Sequence, residues 1–341
     1  MVGFRDQFSS PAHALAWGVF AAGILQVVWV GLFCRAAGML PALRIPTLTR
    51  HVRRLLVLIA PAALGAGVAQ VNLLIDMIIA TTVPEGVSYL YYADRINQLP
   101  LGVIGVGVGT ALLPLLSKQI RAQNMTDATH TMNRAIELVL LFALPASAAL
   151  LVIAQPIITT LFEHGAFGPD ATAATYPALI AYAAGLPAFV LIKVLAPGFF
   201  ANQDTKTPFY IASFCLIINV VLNLTLVGPL AHVGLALATT IAGWVNAGLM
   251  MWILKRRTLL QADATLRHRL PRLILASGLM ASGLSASYAF TSHLFSEMLV
   301  TKVLALSLLI GIGLGLYAFT VLITRAITIG DVKAMLKRRA Q

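Results

Sequence analysis

Few side chains in this sequence could do chemistry, because most of the chain is apolar. In "YYADRINQLPLGVIGVGVGTALLPLLSK" (91–118), Asp94 and Arg95 precede a run apolar enough to sit in a bilayer. Tyr91, Arg95, Gln98, Gly102, Gly105 and Gly109 recur at spacings of four and three. A helix places them on one stripe. Such a stripe avoids lipid and either packs closely on another helix or lines a wet cavity. Arginine stays charged and can grip a phosphate or carboxylate with two parallel bonds.

Asp76 lies on the preceding apolar stretch. The intervening hairpin centres near Glu85, nine residues after Asp76 and ten before Arg95. Antiparallel helices would bring Asp76 and Arg95 to similar depth. Two readings follow: a neutralising ion pair, or an Arg95 that faces an anionic ligand while Asp76 serves a cation or proton. Asp94 points about 100° away from Arg95 around the helix and is a poor direct partner for it. Lys193 lies about seven residues from the cytoplasmic end of its stretch, close enough to snorkel. Asn219 and Asn223 share a helix face, and Thr239 and Thr240 lie on the next stretch. These groups suit interhelical hydrogen bonds or an oxygen-lined site for a hard cation.

Other chemistries are poorly supplied. Cys34 and Cys215 cannot build a disulfide framework. There is no CxxC, HExxH or Walker loop, and the seven histidines show no metal-ligand spacing. "GVGVG" resembles a dinucleotide loop only superficially, since it falls inside an apolar helix and not after a soluble strand.

The elements that must position these residues are membrane helices. The chain has 341 residues, 59% hydrophobic and 11% charged, against about 25% charged in a soluble domain. Nine apolar stretches can each cross about 30 Å of hydrocarbon as a helix. They are approximately 12–33, 55–81, 89–116, 135–154, 174–200, 208–227, 232–254, 273–290 and 299–324. The expected fold class is an all-α polytopic membrane protein. The chain divides into 1–116 with three spans, 117–254 with four, and 255–341 with two further spans and a basic tail.

Alternate connections carry the charge. Segments 34–54, 117–134, 201–207, 255–272 and the carboxyl-terminal tail hold 20 of the 24 Lys and Arg. The opposite connections hold only Arg5 and Lys302. The positive-inside rule puts the basic set in the cytoplasm and the amino end outside. It also accounts for the net charge of +12 without nucleic acid. A parent beginning in the cytoplasm would then have an odd number of spans upstream.

The stretch at 91–118, "LFEHGAF" (161–167) and "KVLAPGFFANQDTKTP" (193–208) occur in order with the right number of spans between them. Together they resemble the MurJ (MviN) lipid II flippases of the multidrug/oligosaccharidyl-lipid/polysaccharide exporter superfamily. The resemblance covers the last nine of fourteen spans, so five upstream spans are expected. It implies a multi-pass protein of the bacterial cytoplasmic (inner) membrane with part of a two-lobe, alternating-access fold. Residues 1–116 would then hold the end of the first lobe and the start of the second.

The implied function is a transporter, not an enzyme. It would move the undecaprenyl-pyrophosphate-linked peptidoglycan precursor, a disaccharide-pentapeptide headgroup on a lipid tail. Arg95 matches the family's essential arginine, and the substrate-facing set becomes Arg95, Gln98, Tyr91 and Lys193. Gln98 stands where some members have an acidic residue. A sodium site of some members falls on Asp76, Asn219, Asn223, Thr239 and the main chain near Leu235, with Asn223 in place of one carboxylate. No cofactor is required, with sodium or proton coupling as the expected ion dependence. Expected partners are lipid II, membrane lipids and peptidoglycan-synthesis enzymes. The alternatives are an exporter of another polyprenyl-linked glycan or a drug, and a non-transporting membrane scaffold or remnant.

Overall fold

The computed structural model describes residues 11–39 and 49–324; Arg5 and the basic tail after Thr324 lie outside the described residues. Every regular element among them is helical. The elements are α1 (Pro11–Ala36), α2 (Arg50–Ala80), α3 (Gly86–Leu101), a π segment (Gly102–Val106), α4 (Gly107–Arg121), α5 (Met125–Phe162), α6 (Pro169–Ala201), α7 (Lys206–Arg256), α8 (Ala264–Thr291), a 3-10 turn (Ser292–Ser296) and α9 (Leu299–Ile323).

The chain divides into two compact units, Met1–Arg54 and Leu55–Gln341. The first holds α1, which is apolar on all sides and exposes Trp17, Phe20, Val27 and Trp29. A helix hydrophobic all round belongs in lipid or in a larger core. The second unit holds the remaining helices, with α6 at its centre. Ala178, Leu179, Leu186, Val190, Val194, Leu195 and Phe199 of α6 are fully buried. Helices α3, α4, α5 and α7 pack around it.

Among the described residues, six helices are long and apolar enough to cross a membrane by length and composition. The sequence divides the same residues into nine crossings, and two local features reconcile the counts. The first is Pro100. It has no N–H to donate to the Ile96 carbonyl, so the helical ladder must re-register. It does so at once, in the five-residue π segment of "GVIGV". One crossing is therefore built from α3, the π segment and α4.

The second feature lies inside α7. Ala231 has φ 48° and ψ −134°, a backbone found at the corner of a tight turn. Asn219 Nδ2 lies 3.3 Å from Thr239 Oγ1, although 20 residues of straight helix would separate them by about 30 Å. A Cβ on Gly234 would fall 2.5 Å from the Leu226 carbonyl oxygen. The chain thus folds back at Ala231, and α7 is two antiparallel arms, as the division into 208–227 and 232–254 expects. With α2, this restores nine crossings.

Polar clamps fasten the last helices to the core. Arg134 donates to both carboxylate oxygens of Asp263 at 2.8 and 2.6 Å. Asp263 also caps α8, accepting from Leu266 N at 2.7 Å. Glu137, buried on α5, receives Arg134 and Arg269 together. At the far end Lys302 pairs with Glu163 at 3.3 Å, and Thr172 Oγ1 donates to the same carboxylate at 2.8 Å. Between the two ends, Tyr317 of α9 donates to the Leu141 carbonyl at 2.6 Å.

Candidate functional site

Asp76 comes off α2 four residues before the helix ends, and faces α7. Its Oδ1 accepts from Asn223 Nδ2 at 2.6 Å and its Oδ2 from Asn72 Nδ2 at 3.0 Å. Thr239 Oγ1 approaches Oδ2 at 3.4 Å and donates to the Leu235 carbonyl at 3.0 Å. Asn223 Nδ2 also lies 2.9 Å from Asn219 Oδ1. With its amide reversed, Asn219 instead donates to Asp76 Oδ1 at 2.9 Å and accepts from Thr239 N at 3.3 Å. Asp76, Asn219, Asn223 and Thr239 of the cation set implied by the resemblance therefore meet, across α2 and both arms of α7, and the Leu235 carbonyl is reached through the Thr239 hydroxyl.

The donor chemistry suits a hard monovalent cation. These residues carry one carboxylate, two amides, a hydroxyl and a main-chain carbonyl, the oxygen types such a cation takes, with the Asn223 amide nitrogen turned to Asp76 here. Asn223 is fully buried and its Oδ1 has no hydrogen-bond partner, an arrangement that costs free energy unless something positive meets it. Among the described residues, no group of three or more His, Cys, Asp or Glu side chains converges on a point.

Of the two readings drawn from their common depth, the Asp76–Arg95 ion pair does not form. Asp76 faces α7, whereas Arg95 is exposed on α3 with its guanidinium 4.7 Å from the centre of the Tyr91 ring. Arg95 Nη1 lies 3.5 Å from Gln98 Oε1, and Gln98 Nε2 donates to Asp94. Equal depth fixes height along the helix pair but leaves open which way each side chain points. Tyr91, Arg95, Gln98 and Gly102 form one exposed stripe, as their spacing requires.

Beside this stripe a cavity of about 560 Å³ opens between α2, α3, α6 and α7. Gln98 and Lys193 line it, as do Asn219 and Thr239. Tyr91 and Arg95 do not. Asp94 does, together with Asn72, Asn97, Tyr182 and Asn246. The sequence reading missed these five. The 100° that turns Asp94 away from Arg95 is what turns it into the cavity. Asn72 could have been found, since it sits one helical turn from Asp76. Lys193 lays its stem over Gly105 of the π segment, where a Cβ would fall 3.3 Å from Lys193 Cγ.

At the basic end of the helices, Arg257 Nη1 reaches Asp204 Oδ2 at 2.5 Å and Arg257 Nη2 reaches Thr207 Oγ1 at 3.0 Å. Partial burial works to raise the Asp204 carboxyl. Hydrogen bonds from the Thr207 side chain and main chain, and the Arg257 charge, outweigh it and hold the carboxyl below its ordinary value.

Residues 2–310 match the family model described as "Lipid II flippase MurJ". The chain is 47% identical over 268 residues to the probable lipid II flippase MurJ of Rhizobium meliloti (strain 1021), covering 79% of this chain and 50% of that protein. It is 39% identical over 330 residues to the probable lipid II flippase MurJ of Rhizobium tropici, covering 96% and 62%. A solved structure titled "Lipid II flippase MurJ, inward closed conformation" superposes with a TM-score of 0.63 at 26% identity, covering 81% of this chain and 56% of that one. The chain thus spans about half to three-fifths of the length of these relatives. Sequence, fold and superposition agree, and the chain belongs to the MurJ lipid II flippase family.

Proposed function

We propose that this chain forms the later part of a flippase that carries lipid II across the cytoplasmic membrane. It acts as a transporter and makes or breaks no covalent bond. The supporting observation is the Arg95 stripe: an exposed arginine, held over Tyr91 and without an ion-pair partner among the described residues, beside a cavity into which Asp94, Gln98 and Lys193 bring polar groups.

The physics favours this use. A pyrophosphate with sugars cannot enter hydrocarbon without a large desolvation cost. A cationic, wet face replaces its water contacts with charge-assisted hydrogen bonds. Arg95 supplies two parallel donors for a phosphate group. The lipid tail stays in the bilayer beside the helices.

Asp76, Asn219, Asn223, Thr239 and the Leu235 carbonyl would hold sodium, which supplies a charge-balancing cation for Asp76 when bound. These residues lie on α2 and α7, so they tie two helices of the unit together. Lipid II, the surrounding lipids and enzymes of peptidoglycan synthesis are the partners this function requires or borders on.

The test is lipid II translocation measured beside membrane protein abundance, in the complete protein that carries these residues. Arg95→Ala should abolish translocation at near-normal abundance. Arg95→Lys should restore only part of it, since an ammonium keeps the charge and loses the planar fork. Full translocation by Arg95→Ala would overturn the proposal.

A further inference from the structure

Two opposite charges line the same cavity without meeting. Asp94 enters it from α3 and Lys193 from α6. No ion pair joins Lys193 to any carboxylate among the described residues. Asp94 is held by the Gln98 amide, a neutral donor. Opposite charges facing one low-dielectric space ordinarily close into a pair, because the attraction grows as water leaves. Here they are not paired. Gly105 leaves room for the Lys193 stem. The π segment at 102–106 sets the phase between Asp94 on α3 and the glycines that follow, and such segments recur at functional sites.

The Asp94 side of the cavity is also short of donors. Asn97 is only 2% exposed and its Oδ1 has no hydrogen-bond partner. Asn246, across the cavity on α7, has an unpartnered buried Oδ1 as well. An ammonium carries three donors and no acceptor. One carboxylate and two amide oxygens are a matching set of acceptors. The Lys193 ammonium, for its part, asks for an anion.

We propose that the cavity bounded by Asp94, Asn97, Asn246 and Lys193 is a subsite for a zwitterionic amino-acid unit, which places its ammonium toward Asp94 and its carboxylate toward Lys193. The volume suits a small ligand, since pockets of roughly 300–1,000 Å³ hold drug-sized molecules. The proposal rests on the flippase reading above, in which a peptide forms part of the headgroup. It assigns the peptide to this cavity and leaves the pyrophosphate to the Arg95 stripe. The substrate would then be gripped at two chemically distinct points, and a headgroup lacking the peptide charges would lose one of them.

The experiment uses the purified full chain in lipid nanodiscs. The probe is the dipeptide Nα-acetyl-Lys-D-Ala, which carries one ammonium and one carboxylate. Its Nε-acetylated form and its carboxyl-terminal amide serve as controls, and calorimetry or ligand-induced thermal shift reads binding. The zwitterion should bind about tenfold more tightly than either blocked form, the size expected for one charge-assisted hydrogen-bonded contact. Asp94→Asn should erase discrimination against the Nε-acetylated peptide only. Lys193→Gln should erase discrimination against the amide only. Equal binding of all three peptides, no binding to folded protein, or loss of both discriminations in either variant would each overturn the subsite.

Sodium chloride titrated alone separates a simple cation site. Asp94-dependent sodium binding without peptide discrimination also overturns the proposal. Lipid II binding by the same preparation distinguishes the two levels of inference. Lipid II binding without peptide discrimination removes the subsite alone. Peptide discrimination without lipid II binding removes the flippase reading and keeps the subsite.

Discussion

Asp76 on α2 and Asn223 on α7, 147 positions apart in sequence, meet at 2.6 Å between Oδ1 and Nδ2. The contact joins a carboxylate to an amide whose own oxygen is buried without a partner. Replacing that amide with a second carboxylate should therefore exchange a donor for a like charge. Asn223→Asp is expected to lower the melting temperature in sodium-free buffer, because two carboxylates at this distance oppose each other. Added sodium should restore it, by binding only the folded state. Thermal melting in sodium against N-methyl-glucamine checks this. A variant equally stable in both would count against a cation at Asp76.

Glu137 carries a second test. It is buried, and two arginines from different helices converge on it. Glu137→Ala leaves both guanidinium groups without their shared partner. A loss of about 3 kcal/mol is expected from breaking such a buried pair. Unfolding in graded detergent denaturant would measure it. A loss below about 1 kcal/mol would show the clamp to be solvent-screened, as surface pairs are.

The pH response of the 201–207 turn follows from Asp204. Its carboxyl sits below the ordinary value of 3.8 in the folded protein. A group depressed in this way adds stability above its unfolded value, and that stability is lost as pH falls through the folded value. The stabilisation should be constant from neutral pH down to about 4 and disappear below it. The Arg257 side chain is 43% exposed, so screening limits the effect to a few tenths of a kcal/mol. Asp204→Asn should flatten that part of a melting-temperature profile and leave the neutral region parallel.

Phe189 offers a packing test beside the cavity. A Cβ on Gly243 would fall 2.5 Å from the Phe189 ring, and one on Gly185 would fall 2.8 Å from it. Gly243→Ala should cost about 1–3 kcal/mol through overpacking. Adding Phe189→Leu should recover most of that loss, which a double-mutant cycle of melting temperatures would show. Purely additive effects would place the strain elsewhere.

How much was legible in the sequence depended on what each pattern encodes. Hydropathy and basic loops gave the crossings, since length and charge act along the helix axis. Lateral position was harder. The depth argument put Asp76 beside Arg95, but a depth says nothing about rotation, and Asp76 turned to α7. Resemblance gathered Asp76, Asn219, Asn223, Leu235 and Thr239; no periodicity would have linked residues on three antiparallel segments. Asp94 was judged only against Arg95 and so was passed over. Asn97 and Asn246 carry no charge and match no motif, so their unpartnered oxygens became visible only in three dimensions. No local pattern could have paired Glu137 with Arg269, which lies 132 residues away.

The reversal at Ala231 bears on how the chain is made. Between Lys206 and Lys255 there is no Asp, Glu, Lys or Arg. Neither arm of α7 therefore has a charge of its own at the Ala231 end to hold that end on one side of the membrane. Its orientation is set only by the basic residues at the two far ends of the hairpin, Lys206 and Lys255 with Arg256, which the positive-inside rule puts on the same side. During synthesis the first arm has no anchor for its leading end until the second has emerged. The two must enter the bilayer as one hairpin, already paired through Asn219 and Thr239. Asp76, made about 140 residues earlier than its α7 partners, waits in the membrane for a ready-made surface to receive it.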